Sequence, residues 1–339
     1  MLAAAVAVAA ALASGPSPTL AQLVGQKLVV RMDGTAPSAS LLARARRGEI
    51  GGVILFRFNV SSATQLRAAT RALQHAAAEG GRPRLLIAVD QEGGPVRTIP
   101  FAPPAAAPRH MRAPRAEGRR TGRALRSLGV NTNLAPVVDV PASTSSFVFR
   151  QGRAWSFSAA TTARSAGPFA RGLVEGGVLA VPKHFPGLGH ATVNTDDQVV
   201  RIAVSRRALA HELEPYRQAI AAGIPLIMLS NAVYDAYDRR NGAGWSRRIA
   251  ARLLRGELGF EGVTITDSLD GTAHARGMPT DPLAVHAARA GTDLILVTGS
   301  EPASRSVYLS LLRAARDGRI RAADLRASYG RILALKRGL

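Results

Sequence analysis

The 339-residue sequence contains no cysteine. This absence excludes disulfide bonds, thiolate metal sites and a cysteine nucleophile. It leaves the cellular compartment open, because exported proteins also occur without cysteine.

Acidic residues are scarce: 23 Asp and Glu stand against 44 Lys and Arg, a formal charge of +21. Such a charge suits nucleic acid, a membrane surface or an anionic cell-wall polymer. However, the basic residues are dispersed, with only short clusters at 44–47 and 112–120. No zinc-finger, homeodomain or aromatic RNA-binding signature accompanies them, so we expect no nucleic-acid binding. Anionic wall polymers remain candidate partners.

Long apolar runs are also rare, and the clearest one is residues 1–14. This run is too short to span a membrane and matches the apolar region of a signal peptide, although the usual preceding positive charges are missing. A frayed N-terminal helix is the alternative. We predict a signal peptide and linker over 1–18, one domain over 19–339, and a secreted or cell-wall-associated mature protein without a membrane span.

Short continuous apolar runs alternate with Ala-, Leu- and Arg-rich helical stretches along the rest of the chain. Uninterrupted apolar strands are typical of parallel sheets that are buried on both faces. This rhythm predicts a single-domain α/β fold, a (β/α)8 TIM-like barrel. A doubly wound sheet would normally carry a glycine-rich phosphate loop after its first strand, and none is present. The predicted strands are 27–31, 52–56, 85–89, 134–138, 178–181, 225–229, 263–266 and 293–297.

Polar side chains follow five of these strands, where a barrel places its reactive groups. Alone, each could cap a helix or form a loop salt bridge, but together they predict a polar site at one mouth. Carboxylates combined with cationic and amide donors suit a polyhydroxylated substrate, and glycoside cleavage needs a carboxylate near the anomeric carbon. The residues are Asp90, Asp139, Lys183, His184, Asn231 and Asp267.

Several motifs in order give the chain a resemblance to glycoside hydrolase family 3, in its barrel-only branch of β-N-acetylglucosaminidases. The resemblance extends from about residue 20 to about residue 335. The motifs are GGVILF at 51–56, DQEGG at 90–94, LAPVVDV at 134–140, KHFPGLG at 183–189, and LGF at 258–260 leading into Thr266 and Asp267.

The resemblance implies that Asp267 attacks the anomeric carbon and forms a covalent glycosyl-enzyme. It also implies that Asp90, Lys183 and His184 hold hydroxyls of the sugar. An arginine before a Ser-Phe motif binds sugar in the family, and Arg153 is the best match, with Arg150 as the alternative. No metal or organic cofactor is implied, and no His-Glu-x-x-His spacing suggests one.

The loop at 190–197 departs from the family pattern. The family's Asp-Ser-His acid/base is missing, and Asn194 and Asp196 stand where its Asp and His would be. Asp196 could act as general acid/base if burial raises its pKa. His190 and Asp197 are the alternatives, as is a protein with no efficient acid/base. The usual arginine after the Gly-Gly pair is also replaced, by Pro95, and Arg97 is the candidate substitute.

The expected function is therefore hydrolysis of terminal β-N-acetylglucosaminides by a retaining mechanism, with peptidoglycan-type fragments as substrates. One alternative is a β-glucosidase or xylosidase of the same family, although those enzymes usually take their acid/base from a second domain. Another is a catalytically weak carbohydrate-binding wall protein. The absence of Asp-Ser-His is the main support for that second alternative.

Overall fold

Eight parallel strands form a closed barrel in the computed structural model, which describes residues 17–339. The predicted signal peptide lies outside the described residues, apart from the end of its linker. In chain order the strands of the described residues are β1 (Leu28–Arg31), β2 (Gly52–Leu55), β3 (Leu86–Val89), β4 (Gln91–Gly93), β5 (Val96–Arg97), β6 (Thr132–Asn133), β7 (Leu179–Ala180), β8 (Arg201–Ile202), β9 (Leu226–Leu229), β10 (Val233–Tyr234), β11 (Asp238–Gly242), β12 (Val263–Thr266) and β13 (Ile295–Val297). Five of these lie outside the barrel in two small sheets, β4-β5 and β11-β10-β8.

The barrel is closed by parallel pairing in the order β13-β1-β2-β3-β6-β7, followed by β9 and β12. A bridge between Phe185 and Leu229 joins the chain after β7 to β9. A second bridge, between Ile265 and Leu294, joins β12 to the segment before β13. The predicted barrel class is therefore confirmed.

Helices surround the barrel, and none in residues 17–339 is long and apolar enough to cross a membrane. They are α1 (Leu20–Gly25), α2 (Ala39–Arg47), α3 (Ala63–Glu79), α4 (Pro114–Ser127), α5 (Phe147–Arg150), α6 (Ala159–Glu175), α7 (Arg206–Ala210), α8 (Glu214–Ala221), the π-helical α9 (Arg248–Glu257), α10 (Leu269–Ala275), α11 (Thr280–Ala290), α12 (Glu301–Arg316) and α13 (Ala322–Lys336).

The barrel strands are apolar because both of their faces are buried. Every residue of β2, β3, β9 and β12 is buried. Along β1, Val29 belongs to a cluster inside the barrel, whereas Leu28 and Val30 belong to the larger core between strands and helices. This alternation follows from the two-residue repeat of a strand.

The fourth strand differs from its prediction. The regular ladder forms at Thr132–Asn133, and the predicted segment 134–138 continues it through an isolated bridge between Val137 and Lys183 and single hydrogen bonds such as Val181 N–H to the Ala135 carbonyl at 2.8 Å. Pro136 lies in the middle of this segment and has no N–H to donate to a neighbouring strand. The apolar run there continues the barrel wall without a regular ladder.

Glycines allow α4 and α6 to pack backbone against backbone. A side chain at Gly118 would overlap the carbonyl of Phe169, and one at Gly172 would overlap the carbonyl of Arg115. Gly122 and Gly176 face each other one turn further along the two helices. The two helices immediately precede β6 and β7, so this close packing sets the spacing of two strands that lead to the polar mouth.

A buried ion-pair network centred on Asp293 joins the segment before β13 to β12 and to the helices α9 and α13. The Asp293 carboxylate is fully buried and accepts from Arg331 Nη2 at 2.7 Å and from Arg255 Nη2 at 2.6 Å. Its Oδ2 also accepts from the Thr264 backbone N–H at 2.9 Å. Burial alone would raise the pKa of Asp293, but the hydrogen bonds and charges of Arg331, Lys27 and Arg255 hold it below its usual value.

Replacing Asp293 by alanine should destabilise the fold strongly, because two arginines would lose their shared buried partner. We expect Asp293→Ala to lower the free energy of unfolding by about 3–5 kcal/mol. Urea denaturation monitored by circular dichroism measures this. Asp324→Ala, which removes a surface partner of Arg321, is the matched control and should cost less than about 1 kcal/mol. Equal losses in the two variants would contradict the role given to Asp293.

Candidate active site

The polar residues that follow β3, β7 and β12 meet in one cavity of about 430 Å³. Asp90 comes directly after β3, Lys183 and His184 lie beyond β7, and Asp267 comes directly after β12. The cavity therefore lies where the carboxyl ends of parallel barrel strands place reactive groups. Its charged lining consists of Asp90, Glu92, Arg153, Lys183, His184, Asp196 and Asp267, together with Arg57 and Arg97 at its edge.

Glu92 holds two cations in the wall of the cavity. Its carboxylate receives Arg153 Nε at 2.9 Å and Nη2 at 2.8 Å, and it lies 2.7 Å from Lys183 Nζ. Lys183 Nζ also donates to Asp90 Oδ1 at 2.5 Å. Glu92 and Lys183 are almost fully buried, whereas the Asp90 side chain is 26% exposed. Asp90 is therefore the member of this cluster most open to a ligand.

The charges in this cluster determine its protonation. Burial opposes the ionised form of Glu92, but the charges of Arg153 and Lys183 outweigh it and lower the pKa of Glu92 to about 2. Burial likewise disfavours the charged form of Lys183, but Asp90 and Glu92 raise its pKa above the usual value. Glu92, Arg153 and Lys183 are thus ionised at neutral pH, and the hydrogen bonds among them fix the directions of their donors and acceptors.

His184 is oriented by the buried Asp139. The Asp139 carboxylate contacts His184 Nδ1 at 2.7 Å and accepts from the His184 backbone N–H at 3.0 Å. Because a carboxylate only accepts, Nδ1 carries the proton. The other ring nitrogen, Nε2, then faces the cavity, 3.9 Å from Asp267 Oδ2.

Asp267 is held by backbone contacts and remains accessible. Its N–H donates to the Leu229 carbonyl at 2.9 Å, and its Oδ1 accepts from the Ser268 N–H at 2.8 Å. The side chain is 22% exposed, so its second oxygen can reach a ligand in the cavity. Asn231, also predicted at this mouth, donates to the Ser268 carbonyl at 2.6 Å and so supports the turn after Asp267.

Asp196 lies on the loop 190–197 and is partly buried. Burial, together with the charge of Asp267, raises the pKa of Asp196 to about 7. Its Oδ1 is buried and has no hydrogen-bond partner among the described residues. The carboxyl packs against α10 at Gly271, where a Cβ would lie 2.5 Å from the Asp196 Cγ. Two carboxyls, those of Asp196 and Asp267, thus line one cavity, and burial raises the pKa of Asp196.

The other sequence candidates lie elsewhere. Arg150 donates to the Thr192 carbonyl at 2.5 Å and is not among the cavity-lining residues, whereas Arg153 is. His190 and Asp197 also lie outside the lining, and His190 Nε2 faces Glu212 at 3.4 Å. Arg97 lines the cavity beside Pro95, in agreement with its candidacy as the substitute cation.

Sequence reasoning did not assign roles to Glu92, Asp139 or Glu212. Glu92 was visible in the DQEGG motif and Asp139 at a strand end, so both residue types gave a signal. Their partners, however, lie 40 to 90 residues away along the chain. Glu212 gave no signal, because it lies within a stretch, 207–221, that the sequence predicts as an ordinary helix and that the structure divides into α7 and α8.

A (β/α)8 barrel whose polar mouth brings two carboxyls and several cationic groups into one cavity has the arrangement of a glycoside hydrolase. The model of the Glycosyl hydrolase family 3 N terminal domain matches residues 19–335. The chain belongs to glycoside hydrolase family 3.

Sequence relatives agree with this assignment. The chain is 33% identical over 329 residues to an uncharacterized secreted glycosyl hydrolase of Arthroderma benhamiae, covering 94% of this chain and 93% of the relative. It is 33% identical over 298 residues to a β-hexosaminidase of Alkalilimnicola ehrlichii, covering 84% of each.

Solved structures are similar over nearly the whole chain. A family 3 β-N-acetylglucosaminidase from Paenibacillus sp. superposes with a TM-score of 0.91 at 32% identity, over 95% of this chain. This chain covers 63% of that larger protein. A β-N-acetylhexosaminidase from Beutenbergia cavernae superposes with a TM-score of 0.87 at 30% identity, over 95% of this chain and all of that one.

Replacing Glu92 by glutamine should destabilise the protein in a pH-dependent way. We expect a loss of about 3–5 kcal/mol in the free energy of unfolding at pH 7, because Lys183 and Arg153 lose their shared counter-charge. A carboxyl with a lowered pKa stabilises the fold above its unfolded pKa and loses that effect as the pH falls. The gap between wild type and variant should therefore narrow from pH 5 towards pH 2. Guanidinium titrations at pH 7, 5 and 3 measure this, and a gap independent of pH would refute it.

Proposed function

We propose that the protein is a retaining β-N-acetylhexosaminidase that releases terminal N-acetylglucosamine from β-linked substrates. The observation that carries this proposal is the pair Asp267 and Asp196 in a single cavity, where Asp196 has a buried, unpaired Oδ1 and a raised pKa. The hexosaminidases among its relatives and structural neighbours support the choice of sugar.

In the first step, an oxygen of the Asp267 carboxylate attacks the anomeric carbon and forms a C–O bond to it. The bond between the anomeric carbon and the leaving oxygen breaks, and Asp196 donates its proton to that oxygen. In the second step, Asp196 takes a proton from water as the water oxygen attacks the anomeric carbon. The bond to Asp267 then breaks, and the sugar leaves with retained configuration.

The substrate is bound by the charged side chains that follow β3 and β7 and by Arg153. Asp90 offers a partly exposed carboxylate that can accept from sugar hydroxyls, and Lys183 and Arg153 offer fixed cationic donors. His184 Nε2, aimed at the cavity by Asp139, can contact a hydroxyl or the Asp267 carboxylate. A fixed set of donors and acceptors reduces the ordering cost of binding a flexible polyol.

Asp196 is the proposed acid/base in place of the missing Asp-Ser-His. Among the three loop candidates, it alone lines the cavity. A group that must both give and take a proton works best with a pKa near the working pH, and Asp196 meets that condition at about 7.

Export and wall-derived substrates complete the proposal. The Arthroderma relative is described as secreted, and the formal charge of +21 favours contact with anionic wall polymers. Peptidoglycan-type fragments would bring the proposed sugar to such an enzyme.

Removing the nucleophile should nearly abolish turnover. For Asp267→Ala we expect kcat/KM on an aryl β-N-acetylglucosaminide to fall about 10³-fold or more. An activated fluorinated N-acetylglucosamine should label wild type at Asp267, detected by mass spectrometry of the digested protein. Asp235→Ala, a surface carboxylate paired with Arg201, is the control and should retain activity. Wild-type turnover in Asp267→Ala, or faster cleavage of aryl glucoside or xyloside than of the N-acetylglucosaminide, would overturn the proposal.

The pH profile should report Asp196. Because the first step needs the protonated acid, kcat/KM should fall about tenfold per pH unit above pH 7. Asp196→Ala should lose this fall in kcat/KM at high pH. It should also lower the turnover of an aryl N-acetylglucosaminide with a poor leaving group by about 10²–10⁴-fold. A 2,4-dinitrophenyl glycoside should be affected far less, since dinitrophenolate departs without a proton. Asp197→Ala is the matched control, and an equal loss with both leaving groups in Asp196→Ala would exclude Asp196 as the acid.

A further inference from the structure

A buried carboxyl group lies beneath the loop 187–197, outside the sugar cavity. Glu212 lies between α7 and α8, and its side chain is 4% exposed. Its Oε2 accepts from the Gly189 backbone N–H at 3.2 Å. Its Oε1 is buried, makes no hydrogen bond with any described residue, and lies 3.4 Å from His190 Nε2. A buried oxygen left without a partner is costly, so its persistence in the fold asks for an explanation.

Three consecutive loop residues are each held by a buried side chain. Tyr234 donates its hydroxyl proton to the carbonyl of residue 187 at 2.9 Å. Asp139 accepts from the N–H of residue 188 at 2.8 Å, and Glu212 accepts from the next N–H along the chain. These side chains come from three different segments of the chain. The position of residues 187–189 is therefore determined by the surrounding barrel and not by contacts within the loop.

Gly187 lets the loop pack against Glu212. A side chain at Gly187, whose φ is +136°, would overlap the Glu212 carboxyl. Only glycine allows the backbone to approach a buried carboxyl this closely. At Gly189 a side chain would overlap the Val140 carbonyl and would also lie 3.0 Å from Glu212 Oε2. The start of the loop is therefore packed against Glu212 at Gly187 and mainly against the Val140 backbone at Gly189.

Glu212 and His190 have complementary protonation at neutral pH. Burial, with the charge of Asp139, raises the pKa of Glu212 to about 8. Burial also lowers the pKa of His190. The other titratable groups beside Glu212 are Tyr216 and Tyr234, both neutral phenols whose pKa is raised by burial. An un-ionised carboxyl can therefore donate its proton to the free imidazole nitrogen of His190.

The held segment is close to Asp196 along the chain. The Ala191 carbonyl accepts from the Phe147 N–H at 2.8 Å, and the Thr195 carbonyl accepts from the Thr272 hydroxyl at 3.1 Å. Only three residues separate these two anchored positions. Gly189, Ala191 and Thr195 are thus three successive points at which the surrounding frame holds the loop that carries Asp196, and Glu212 supplies the one at Gly189.

We propose that Glu212 is a positioning residue that, with His190 as its partner, fixes the loop carrying the acid/base in register with the sugar cavity. This inference rests on the proposed role of Asp196. Glu212 itself touches no substrate, because it does not line the cavity.

The test compares Glu212→Ala, Glu212→Gln and Tyr216→Phe with wild type. Tyr216→Phe is the matched control, because its hydroxyl is buried next to Glu212 and has no hydrogen-bond partner among the described residues. Glutamine keeps an acceptor for Gly189 and an N–H donor for His190, so it should restore function. The measurements are kcat and KM on two aryl N-acetylglucosaminides with poor and good leaving groups, thermal unfolding, and hydrogen exchange of amides 187–197.

We expect Glu212→Ala to lower kcat about 10–100-fold with the poor leaving group, within the span of general acid catalysis, while KM changes less than about threefold. The good leaving group should be affected much less. Exchange at 187–197 should rise in Glu212→Ala, and Glu212→Gln and Tyr216→Phe should resemble wild type at pH 6. Since a raised carboxyl pKa makes the folded state lose stability as pH rises from about 4.5 to 8, Glu212→Gln should gain melting temperature over wild type at pH 8.5 more than at pH 5.

Unchanged loop exchange in Glu212→Ala, or wild-type kcat with both substrates, would overturn the positioning role. Failure of Glu212→Gln to restore kcat in a protein with wild-type melting temperature would do so as well. The exchange readout does not depend on which residue is the acid. If Asp196→Ala shows no leaving-group dependence while exchange still rises in Glu212→Ala, the acid/base assignment fails and the positioning of the loop by Glu212 stands.

Discussion

The mouth of the barrel depends on one buried carboxylate that is shared by two cations. Lys183 and Arg153 project into a low-dielectric wall, where an uncompensated charge would be very costly. Glu92 neutralises both and fixes the directions of their N–H groups. The second carboxylate on Lys183, that of Asp90, is left partly open to solvent. These charges balance one another and have fixed directions. A neutral, hydroxyl-rich ligand can therefore displace water from the site and form hydrogen bonds with them.

The same chemical group recurs in the site, and four of its carboxyls show how the surroundings set the properties of each one. Glu92 is surrounded by cations and stays ionised, Asp139 orients an imidazole, and Asp267 is exposed to the cavity. Asp196 is pressed against α10 without a hydrogen-bond partner for Oδ1 and keeps its proton to higher pH. Burial, neighbouring charge and hydrogen bonding are enough to give the carboxyls of one site different pKa values, as Glu92 and Asp196 show.

Much of this could be read from the sequence, and the limit has a physical cause. Continuous apolar strands indicate a sheet that is buried on both faces, so the barrel could be predicted. The positions of Asp90, Lys183 and Asp267 at strand ends could be predicted for the same reason. The fourth strand was misplaced because Pro136 interrupts the ladder within an apolar run that still lines the barrel wall. The pairings of Glu92 with Arg153 and of Glu212 with Gly189 depend on side chains that meet only in three dimensions. Sequence periodicity carries no information on such contacts. The contacts of Glu212 could therefore not be predicted, and the choice between Arg153 and Arg150 stayed open.

The glycine contact between α4 and α6 has a consequence for how this site can change. These helices lead directly into β6 and β7, whose exits hold Asp139 and the Lys183–His184 pair. Widening the gap between the helices by even one methyl group would spread the two strands and pull the imidazole away from its carboxylate partner. We therefore expect substitutions to be tolerated mainly in the loops. The glycine positions between α4 and α6 should tolerate almost none, although they lie far from the polar mouth along the chain.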